Sequence, residues 1–326
     1  MSSAPANPKI VILDAHTTNP GDLSWDELSA MGDLHVYPRT PAGDIIPRAR
    51  EAEILLTNKT RLTADIIEQL PALRLVCLMS TGTNAVDLDA CARRGIPVCN
   101  VPAYSTASVA ELVTAFLLTH ARAVETHARS VHKGDWTASP DFAYWLTPQR
   151  ELSGQVMGVV GFGEIGQAVT RIAIGLGMRV RAYTRTREDK PVLGQAFDTL
   201  ENVIATADVL TLHCPLTPAT ERLIRAETLA AMKPDALLIN TGRGGLIDEA
   251  DVAAALQAGR LGGACLDVLS TEPPAPDNPL LTAPRCTITP HIGWATREAR
   301  ARLAGELAAN VRAFLENTPR NVVNTP

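Results

Sequence analysis

Short apolar runs recur along the chain, and segments with helical periodicity separate them. In the first hundred residues the runs lie at 9–14, 53–57 and 75–79. Apolar runs of this length, without polar alternation, are typical of strands buried on both faces. Strands that alternate with helices predict a parallel sheet with helical crossovers. The N-terminal hundred residues are therefore predicted to form an α/β domain.

A second series of apolar runs continues this alternation after residue 155. Strands are predicted at 156–160, 179–183, 208–212, 236–240 and 263–268, and helices at 222–232 and 249–257. A long apolar helix is predicted at 108–129, and a last helix at 297–316 is predicted to fold back onto the first domain because chain ends commonly lie close together. The pattern predicts two doubly wound parallel-sheet domains of the α/β class.

A glycine motif follows the strand predicted at 156–160. Gly161 permits a tight turn, Gly163 lets a pyrophosphate approach the backbone, and Gly166 lets the next helix lie close to the strand. The free amides of Glu164 and Ile165 would face the phosphates. With a strand before it and a helix and strand after it, the motif predicts a dinucleotide site. The alternative is a glycine loop that merely turns a corner.

The end of the second strand of that unit bears on the choice of cofactor. NAD-dependent members of this fold carry an acidic residue about 20 residues beyond the glycines, where it binds the ribose hydroxyls. Thr184 occupies that place, and Arg185 and Arg187 follow it. We predict a preference for NADP(H), with Arg185 as the main 2′-phosphate ligand. If both arginines point to solvent or pair with acidic neighbours, NAD(H) is accepted as well.

Composition narrows the class of protein further. The chain has 326 residues, a formal net charge of -5 and 46% hydrophobic residues. We predict no nucleic-acid partner, since no basic stripe is present, and no membrane partner, since no apolar run reaches spanning length. The start of the chain lacks an apolar signal region, which favours the cytoplasm. The six cysteines form no CxxC pair, so reduced core cysteines and no metal site are predicted.

Three residues near predicted strand ends have side chains suited to carbonyl reduction. Arg243, flanked by glycines, could bind a carboxylate with two parallel hydrogen bonds. His291, in a tight turn, could exchange a proton with an alcohol, and Glu272 could keep that imidazole charged. Taken singly, each has an ordinary alternative: a surface arginine, a satisfied histidine and a solvated glutamate. Together with a nicotinamide site, they match the needs of hydride transfer.

Two loops are further candidates for binding. Residues 80–84 follow the strand at 75–79, and amides near Gly82 could hold a small anion, although a plain turn before a helix fits equally well. Trp136, Phe142, Tyr144 and Trp145 lie close together in a loop. Such a cluster more often marks an interface or a pocket lid than a core.

Several of these motifs, in this order and spacing, resemble one family. They are residues 80–87, Val101-Pro102 with residues 106–111, residues 161–166, 213–216, 239–244, 266–268 with Glu272-Pro273, and 290–293. Over nearly its whole length the chain resembles the D-2-hydroxyacid dehydrogenases of the glycerate dehydrogenase or hydroxypyruvate reductase type. The resemblance implies hydride transfer between a nicotinamide cofactor and a small D-2-hydroxy acid or its 2-oxo acid, such as glycerate/hydroxypyruvate or glycolate/glyoxylate.

The resemblance also implies roles for particular residues. Arg243, Glu272 and His291 would be catalytic, with Arg243 and His291 also contacting substrate. The other implied residues bind either the substrate carboxylate (Ser80, Thr81 and Gly82) or the cofactor (Thr106, His213, Cys214, Pro215, Thr241 and Asp267, in addition to the glycine motif and residues 184, 185 and 187).

The organisation implied by the resemblance is a Rossmann dinucleotide-binding domain inserted in a flavodoxin-like substrate domain. The substrate domain would comprise 1–103 and 294–326, and the cofactor domain 104–293. A dimer arm at about 108–150 would make the protein a homodimer. Two alternatives stay open: a dehydrogenase for a bulkier or phosphorylated acid, and a nucleotide-sensing corepressor on the same fold.

Overall fold

A computed structural model describes residues 7–186 and 193–324. The chain divides into two compact units, Met1–Ser105 with Ala295–Pro326, and Thr106–Trp294. In the first unit the elements are β1 Lys9–Ile12, α1 Asp26–Ser29, β2 Asp33–Val36, α2 Ile45–Ala49, β3 Ile54–Thr57, α3 Ala64–Glu68, β4 Leu75–Leu78, α4 Leu88–Arg93 and β5 Val98–Cys99, and the C-terminal segment adds α11 Arg297–Leu315.

In the second unit the elements are α5 Thr106–Arg122, α6 Val124–His132, β6 Val156–Val160, α7 Glu164–Gly175, β7 Arg179–Tyr183, β8 Ala196–Phe197, α8 Leu200–Thr206, β9 Val209–Leu212, α9 Ala226–Ala231, β10 Leu237–Asn240, α10 Glu249–Gln257, β11 Gly263–Leu266 and β12 Cys286–Ile288.

The first unit is built on a five-stranded parallel sheet in the order β2-β1-β3-β4-β5. Strands β3 and β4 are buried along their whole length, as their apolar runs predict. α11 belongs to this unit and is tied to its N-terminal part by Arg300, whose guanidinium donates to Asp22 at 2.7 and 2.6 Å. The order is that of flavodoxin-like sheets.

The second unit contains a seven-stranded parallel sheet in the order β12-β11-β10-β9-β6-β7-β8. The order reverses at β6, where the chain moves to β7 on one side and later to β9 on the other. This is the switch point at which dinucleotide folds bind their ligand, beyond the carboxyl ends of the strands. The predicted fold class, two parallel-sheet α/β domains with one of the Rossmann type, is confirmed.

The prediction of one helix over 108–129 is wrong. α5 ends at Arg122, Ala123 adopts a left-handed φ of 44°, and α6 starts at Val124. A left-handed residue cannot continue a right-handed helix, so the two helices are bent by 57°. No single helix among residues 7–186 and 193–324 has the length and hydropathy to cross a membrane, although α5 and α6 taken together would meet those two criteria.

Four short strands were not predicted from the apolar pattern, namely β2, β5, β8 and β12. Strand β2 has the sequence DLHV and is at most half-buried, because it lies at the edge of its sheet. Strands β5 and β8 contain only two residues each, too few to form a recognisable run. All six cysteines are free thiols, and Cys77, Cys91, Cys99 and Cys265 are buried.

Candidate active site

The candidate residues of the second unit follow the carboxyl ends of its strands. Gly161 follows β6, His213 follows β9, Arg243 lies three residues beyond β10, and His291 lies three residues beyond β12. Because these strands are parallel members of one sheet, their ends meet at the same edge. The sheet thus places the predicted cofactor motif and the predicted catalytic residues on one edge.

His291 and Glu272 are directly bonded. The His291 Nδ1 atom lies 2.7 Å from Glu272 Oε2, and the two side chains are 27% and 32% exposed. A carboxylate at Nδ1 fixes the ring orientation and leaves Nε2 as the nitrogen that can exchange a proton with a ligand. The second Glu272 oxygen accepts the Leu269 N–H at 3.1 Å, so the carboxylate is held from its own loop.

His291 has an unusual backbone that a neighbouring carboxylate stabilises. Its φ is 54°, a left-handed value uncommon for residues other than glycine. The buried Asp267 accepts the Thr289 hydroxyl at 2.6 Å and the Ile292 and Gly293 amides at 2.8 and 2.7 Å. Backbone of this kind persists only where its surroundings determine it, and Asp267 supplies bonds on both sides of the histidine.

The turn that carries Arg243 is held by Asn240. The buried Asn240 side chain accepts the Gly242 N–H at 3.0 Å and donates to the Arg243 carbonyl at 2.8 Å. The Arg243 residue is exposed, and one guanidinium nitrogen donates to the Gly242 carbonyl at 2.8 Å. A bonded turn with an exposed guanidinium is suited to binding a carboxylate.

The glycine motif fits a dinucleotide in three separate ways. Gly161 has a φ of 95°, and a Cβ there would lie 2.5 Å from the Cys214 nitrogen, whereas a Cβ at Gly166 would lie 2.2 Å from the Gly161 carbonyl oxygen. A Cβ at Gly163 would meet no protein atom within 4 Å, which leaves that side open to a ligand. α7 begins after Gly163 without a side-chain cap, so the amides of Glu164 and Ile165 lie where phosphate oxygens bind helix N-termini.

Three other predicted cofactor residues, Thr184, Arg185 and Thr241, follow the carboxyl ends of strands in the same sheet. Thr184 and Arg185 follow β7, with Arg185 exposed, whereas Arg187 lies outside the described residues. The Thr241 hydroxyl is one of two buried side-chain polar atoms without a hydrogen-bond partner in the described part of the chain. A buried hydroxyl of this kind can form a hydrogen bond with a bound cofactor. Thr106 is the first residue of α5.

His213 is held differently from His291. Its Nε2 lies 3.0 Å from the Thr211 hydroxyl, and burial lowers the pKa of its imidazole to about 4. Cys214 and Pro215 complete the bend after β9, with Cys214 half-buried and Pro215 exposed. The backbone of this bend is the surface on which Gly161 packs. His213 is therefore neutral near pH 7 and braces the glycine turn.

The predicted anion loop lies in the first unit, beyond the end of β4. The Ser80 hydroxyl donates to the Gly82 carbonyl at 2.7 Å, and the Thr81 hydroxyl donates to the Val101 carbonyl at 2.8 Å. The Asn100 side chain donates to the Thr81 carbonyl at 2.8 Å. These hydrogen bonds fix the conformation of the loop. The hydroxyl protons of Ser80 and Thr81 are already donated to carbonyl groups.

Sequence reasoning missed the residues that brace the site. The sequence predicts Asn240 only as the end of a strand and Asp267 only as a cofactor contact. In the structure, the Asn240 side chain holds the turn bearing Arg243, and the Asp267 side chain holds the turn bearing His291. A signal existed for Asn240, because asparagine before a Gly-containing turn often bonds its own backbone. No group of three or more His, Cys, Asp or Glu within 7–186 and 193–324 could hold a metal ion.

Comparison with known proteins places this arrangement in a family. Residues 114–293 match the NAD-binding domain of the D-isomer specific 2-hydroxyacid dehydrogenases. The chain is 44% identical to a hydroxypyruvate reductase of Blautia hydrogenotrophica over 97% of its length and 99% of that protein. It is 41% identical to a glycerate dehydrogenase of Methylorubrum extorquens, over 97% of this chain and 98% of that one.

A solved structure of a related reductase is also similar to this chain. An NADPH-dependent glyoxylate/hydroxypyruvate reductase from Sinorhizobium meliloti, in complex with NADP and malonate, superimposes with a TM-score of 0.81 at 28% identity, covering 94% of this chain and 93% of that one. The chain belongs to the D-2-hydroxyacid dehydrogenase family, and the predicted family is confirmed. It is an oxidoreductase that transfers a hydride between a nicotinamide cofactor and a small 2-hydroxy acid or its 2-oxo acid.

Proposed function

We propose that this chain reduces small, unphosphorylated 2-oxo acids of the hydroxypyruvate and glyoxylate type, with a preference for NADPH. The observation that carries the proposal is the His291–Glu272 pair, joined at 2.7 Å on the sheet edge that also bears the Arg243 turn. The relatives that are named hydroxypyruvate reductase and glycerate dehydrogenase support this substrate class.

The chemistry follows from the atoms that each residue presents. The bound nicotinamide supplies the hydride. Arg243 holds the substrate carboxylate through its fork of N–H groups and polarises the 2-oxo group. His291, charged and oriented through Nδ1 by Glu272, donates the Nε2 proton to the carbonyl oxygen as the alcohol forms. The Glu272 carboxylate stabilises the imidazolium before transfer and orients the neutral ring afterwards.

The 80–82 loop supplies a further proposed contact with the substrate. Its hydroxyl groups donate to carbonyls, so anion binding by this loop would use its backbone amides, with Ser80 and Thr81 fixing its shape around Gly82. Thr81→Val, which removes the bond to Val101, should raise KM for the 2-oxo acid and leave the Kd of NADPH unchanged. An unchanged KM would contradict this role.

Steady-state kinetics tests the proposed substrate. Hydroxypyruvate, glyoxylate, phenylpyruvate and phosphohydroxypyruvate would each be assayed with NADPH and with NADH. We expect the highest kcat/KM with hydroxypyruvate or glyoxylate. A clear preference for the aromatic or the phosphorylated acid would contradict the proposed substrate class. Failure to turn over any of the four acids would contradict the proposed reaction and favour a nucleotide-sensing role.

The cofactor preference is proposed from the strand end at Thr184. Asp198, at the end of the neighbouring strand β8, is bonded to Arg181 at 2.5 Å, to the Thr199 amide and to the Asn202 side chain, and the Asn202 bond is the largest cause lowering its pKa. The Asp198 carboxylate is thus occupied by hydrogen bonds within its own unit. Arg185 is exposed beside Thr184, where a guanidinium could bind a 2′-phosphate.

Arg185→Ala tests this preference. Loss of a charge-assisted bond costs about 1.5–3 kcal/mol, so the Kd of NADPH should rise by roughly 10- to 100-fold while that of NADH stays nearly constant. Arg179→Ala is the matched control, because it removes an arginine from the opposite end of β7. Equal or better kcat/KM with NADH in the wild-type enzyme would contradict the proposed preference, as would equal weakening of both cofactors in Arg185→Ala.

A homodimer is proposed from the segment that follows α6. Phe142 and Trp145 are 93% and 72% exposed, although the segment is ordered by bonds from Trp136 Nε1 to the Phe142 carbonyl at 3.1 Å and from the Leu146 amide to His127 at 3.0 Å. An ordered loop that presents large rings to water is typical of an interface. Sedimentation at micromolar concentration should show a dimer, and Phe142→Asp should shift it toward monomer. A wild-type monomer would contradict this proposal.

A further inference from the structure

Glu249 is the first residue of α10, yet its carboxylate bonds a different part of the unit. The helix is capped by Asp248, whose carboxylate accepts two amides of the first turn at 3.1 Å each. Glu249 Oε1 accepts the Ser270 N–H at 2.6 Å, and Oε2 accepts from Asn278 Nδ2 at 2.7 Å. Both oxygens of Glu249 therefore bind the loop between β11 and β12.

The loop that Glu249 binds buries few of its own side chains. Of residues 270–278, only Pro274 and Asn278 are half-buried, and the others are exposed. A loop that buries few apolar groups depends on its hydrogen bonds for a fixed conformation. The two Glu249 bonds attach positions 270 and 278 to a helix, and Glu272 lies between them.

The peptide bonded by Glu249 also contacts the turn that carries Arg243. A Cβ at Gly244 would lie 1.9 Å from the Leu269 carbonyl carbon and 2.2 Å from the Ser270 nitrogen, so only glycine permits this approach. The same segment provides the Leu269 amide that donates to Glu272 Oε1 at 3.1 Å. The Leu269–Ser270 peptide is thus fixed between Gly244 and Glu249. The adjoining Leu269 N–H, at the other side of the same residue, holds Glu272.

We infer that Glu249 is a positioning residue for proton transfer. By holding the 270–278 loop on α10, it keeps Glu272 at the distance and angle at which it pairs with His291. The inference rests on the proposed function, in which that pair supplies the proton. Glu249 acts through Ser270 and Asn278 and needs no contact with substrate or cofactor.

A donor–acceptor exchange between positions 249 and 278 tests the inference. Asn278 Oδ1 accepts the Leu280 N–H at 3.0 Å, so its amide cannot reverse without losing that bond. In Glu249→Gln, the new amide N–H group at position 249 would face another N–H donor. In Asn278→Asp, the carboxylates at positions 249 and 278 would face each other. The double variant restores one donor and one acceptor, and the new carboxylate at 278 can still accept the Leu280 amide.

We expect Glu249→Gln to lower kcat by about 10- to 100-fold, the scale of a small misplacement of catalytic groups. In the direction of 2-oxo acid reduction, the pH at which kcat/KM falls to half on the alkaline side should move lower, because a loosened Glu272 stabilises the imidazolium less. The Kd of NADPH should not change. The double variant should regain most of kcat and the wild-type pH midpoint.

Asp251→Asn is the matched control. Like Glu249→Gln, this substitution removes one negative charge from the first turn of α10. In the wild type, Asp251 Oδ2 accepts the Ala226 N–H at 2.8 Å, away from the 270–278 loop. The Asp251→Asn variant should keep the wild-type pH midpoint. Wild-type kcat and pH midpoint in Glu249→Gln, or equal changes in Asp251→Asn, or no recovery in the double variant, would overturn the inference.

Failure of the inference can be told apart from failure of the proposed function. If His291→Ala loses activity while Glu249→Gln behaves as wild type, only the inference is wrong. If His291→Ala keeps wild-type activity, the proposed function is wrong. Melting temperatures of all variants, measured without cofactor, show whether any loss of kcat follows from unfolding.

Discussion

The ends of β9 and β12 each place a histidine at the same edge of the seven-stranded sheet, and the two histidines are held in opposite ways. His213 bonds the Thr211 hydroxyl at 3.0 Å, and burial lowers its pKa to about 4. His291 bonds the Glu272 carboxylate at 2.7 Å, and its side chain is 27% exposed. The His213 ring is therefore neutral near pH 7, whereas the His291 ring bonds a carboxylate.

This difference shows that a histidine at a strand end is not sufficient for acid catalysis. Both residues follow strands of the same sheet, and both stand beside glycine-containing turns. The chemical role depends on the bonded partner and on access to a ligand. By that criterion, His291 is the proposed proton donor, whereas the backbone at His213 packs against Gly161 of the glycine motif.

The largest expected effect is at the end of β12. His291→Ala should lower kcat by on the order of 10²–10⁴, the usual contribution of a general acid, because Nε2 is lost. Single-turnover kinetics with NADPH and hydroxypyruvate measures the chemical step directly. The Kd of NADPH, from fluorescence titration, serves as the control and should stay constant. Wild-type kcat would show that His291 is not the donor.

A smaller effect is expected when only the charge of Glu272, the partner of His291, is removed. Glu272→Gln keeps a hydrogen-bond acceptor for His291 Nδ1 but no longer stabilises an imidazolium. We expect a loss of kcat smaller than that of His291→Ala, and a fall of activity at lower pH than in the wild type during 2-oxo acid reduction. The pH profile of kcat/KM is the measurement. An unchanged profile would mean that the pair orients the ring without favouring its charge.

The smallest effect is expected at the end of β9, and it concerns stability. Burial lowers the pKa of His213 to about 4 from an unfolded value near 6.5, so the unfolded chain binds more protons between these values. The stability contributed by the neutral ring is complete above pH 6.5 and is lost as the pH falls toward 4. The loss should be about 1–3 kcal/mol, since the residue is only half-buried.

Urea unfolding without cofactor, at several pH values, measures this contribution. His213→Gln should show a weaker decline of the free energy of unfolding between pH 6.5 and 4 than the wild type. His291→Ala should keep the wild-type decline. If the two variants behave alike, the contrast between the histidines is wrong.

Most of the architecture could be predicted because it depends on local patterns. Buried parallel strands such as β3, β6 and β10 have apolar runs, and the helix after Gly163 follows a recognisable glycine motif. The break at Ala123 could not be predicted, because nothing in that apolar stretch disfavours a helix. Ala123 has a φ of 44° although alanine has the highest helix propensity of all residues.

For the active site, the sequence by itself determined the residue types and their order: Arg243 after one strand, Glu272 after the next and His291 after a third, with a glycine motif before them. Only the tertiary structure decided that Glu272 contacts His291, that Asp267 holds the His291 turn, and that Glu249 binds the Glu272 loop. The physical reason is distance along the chain. Hydrogen bonds between loops that are 19 to 29 residues apart leave no periodicity in the sequence, because they exist only after the parallel strands bring their ends together.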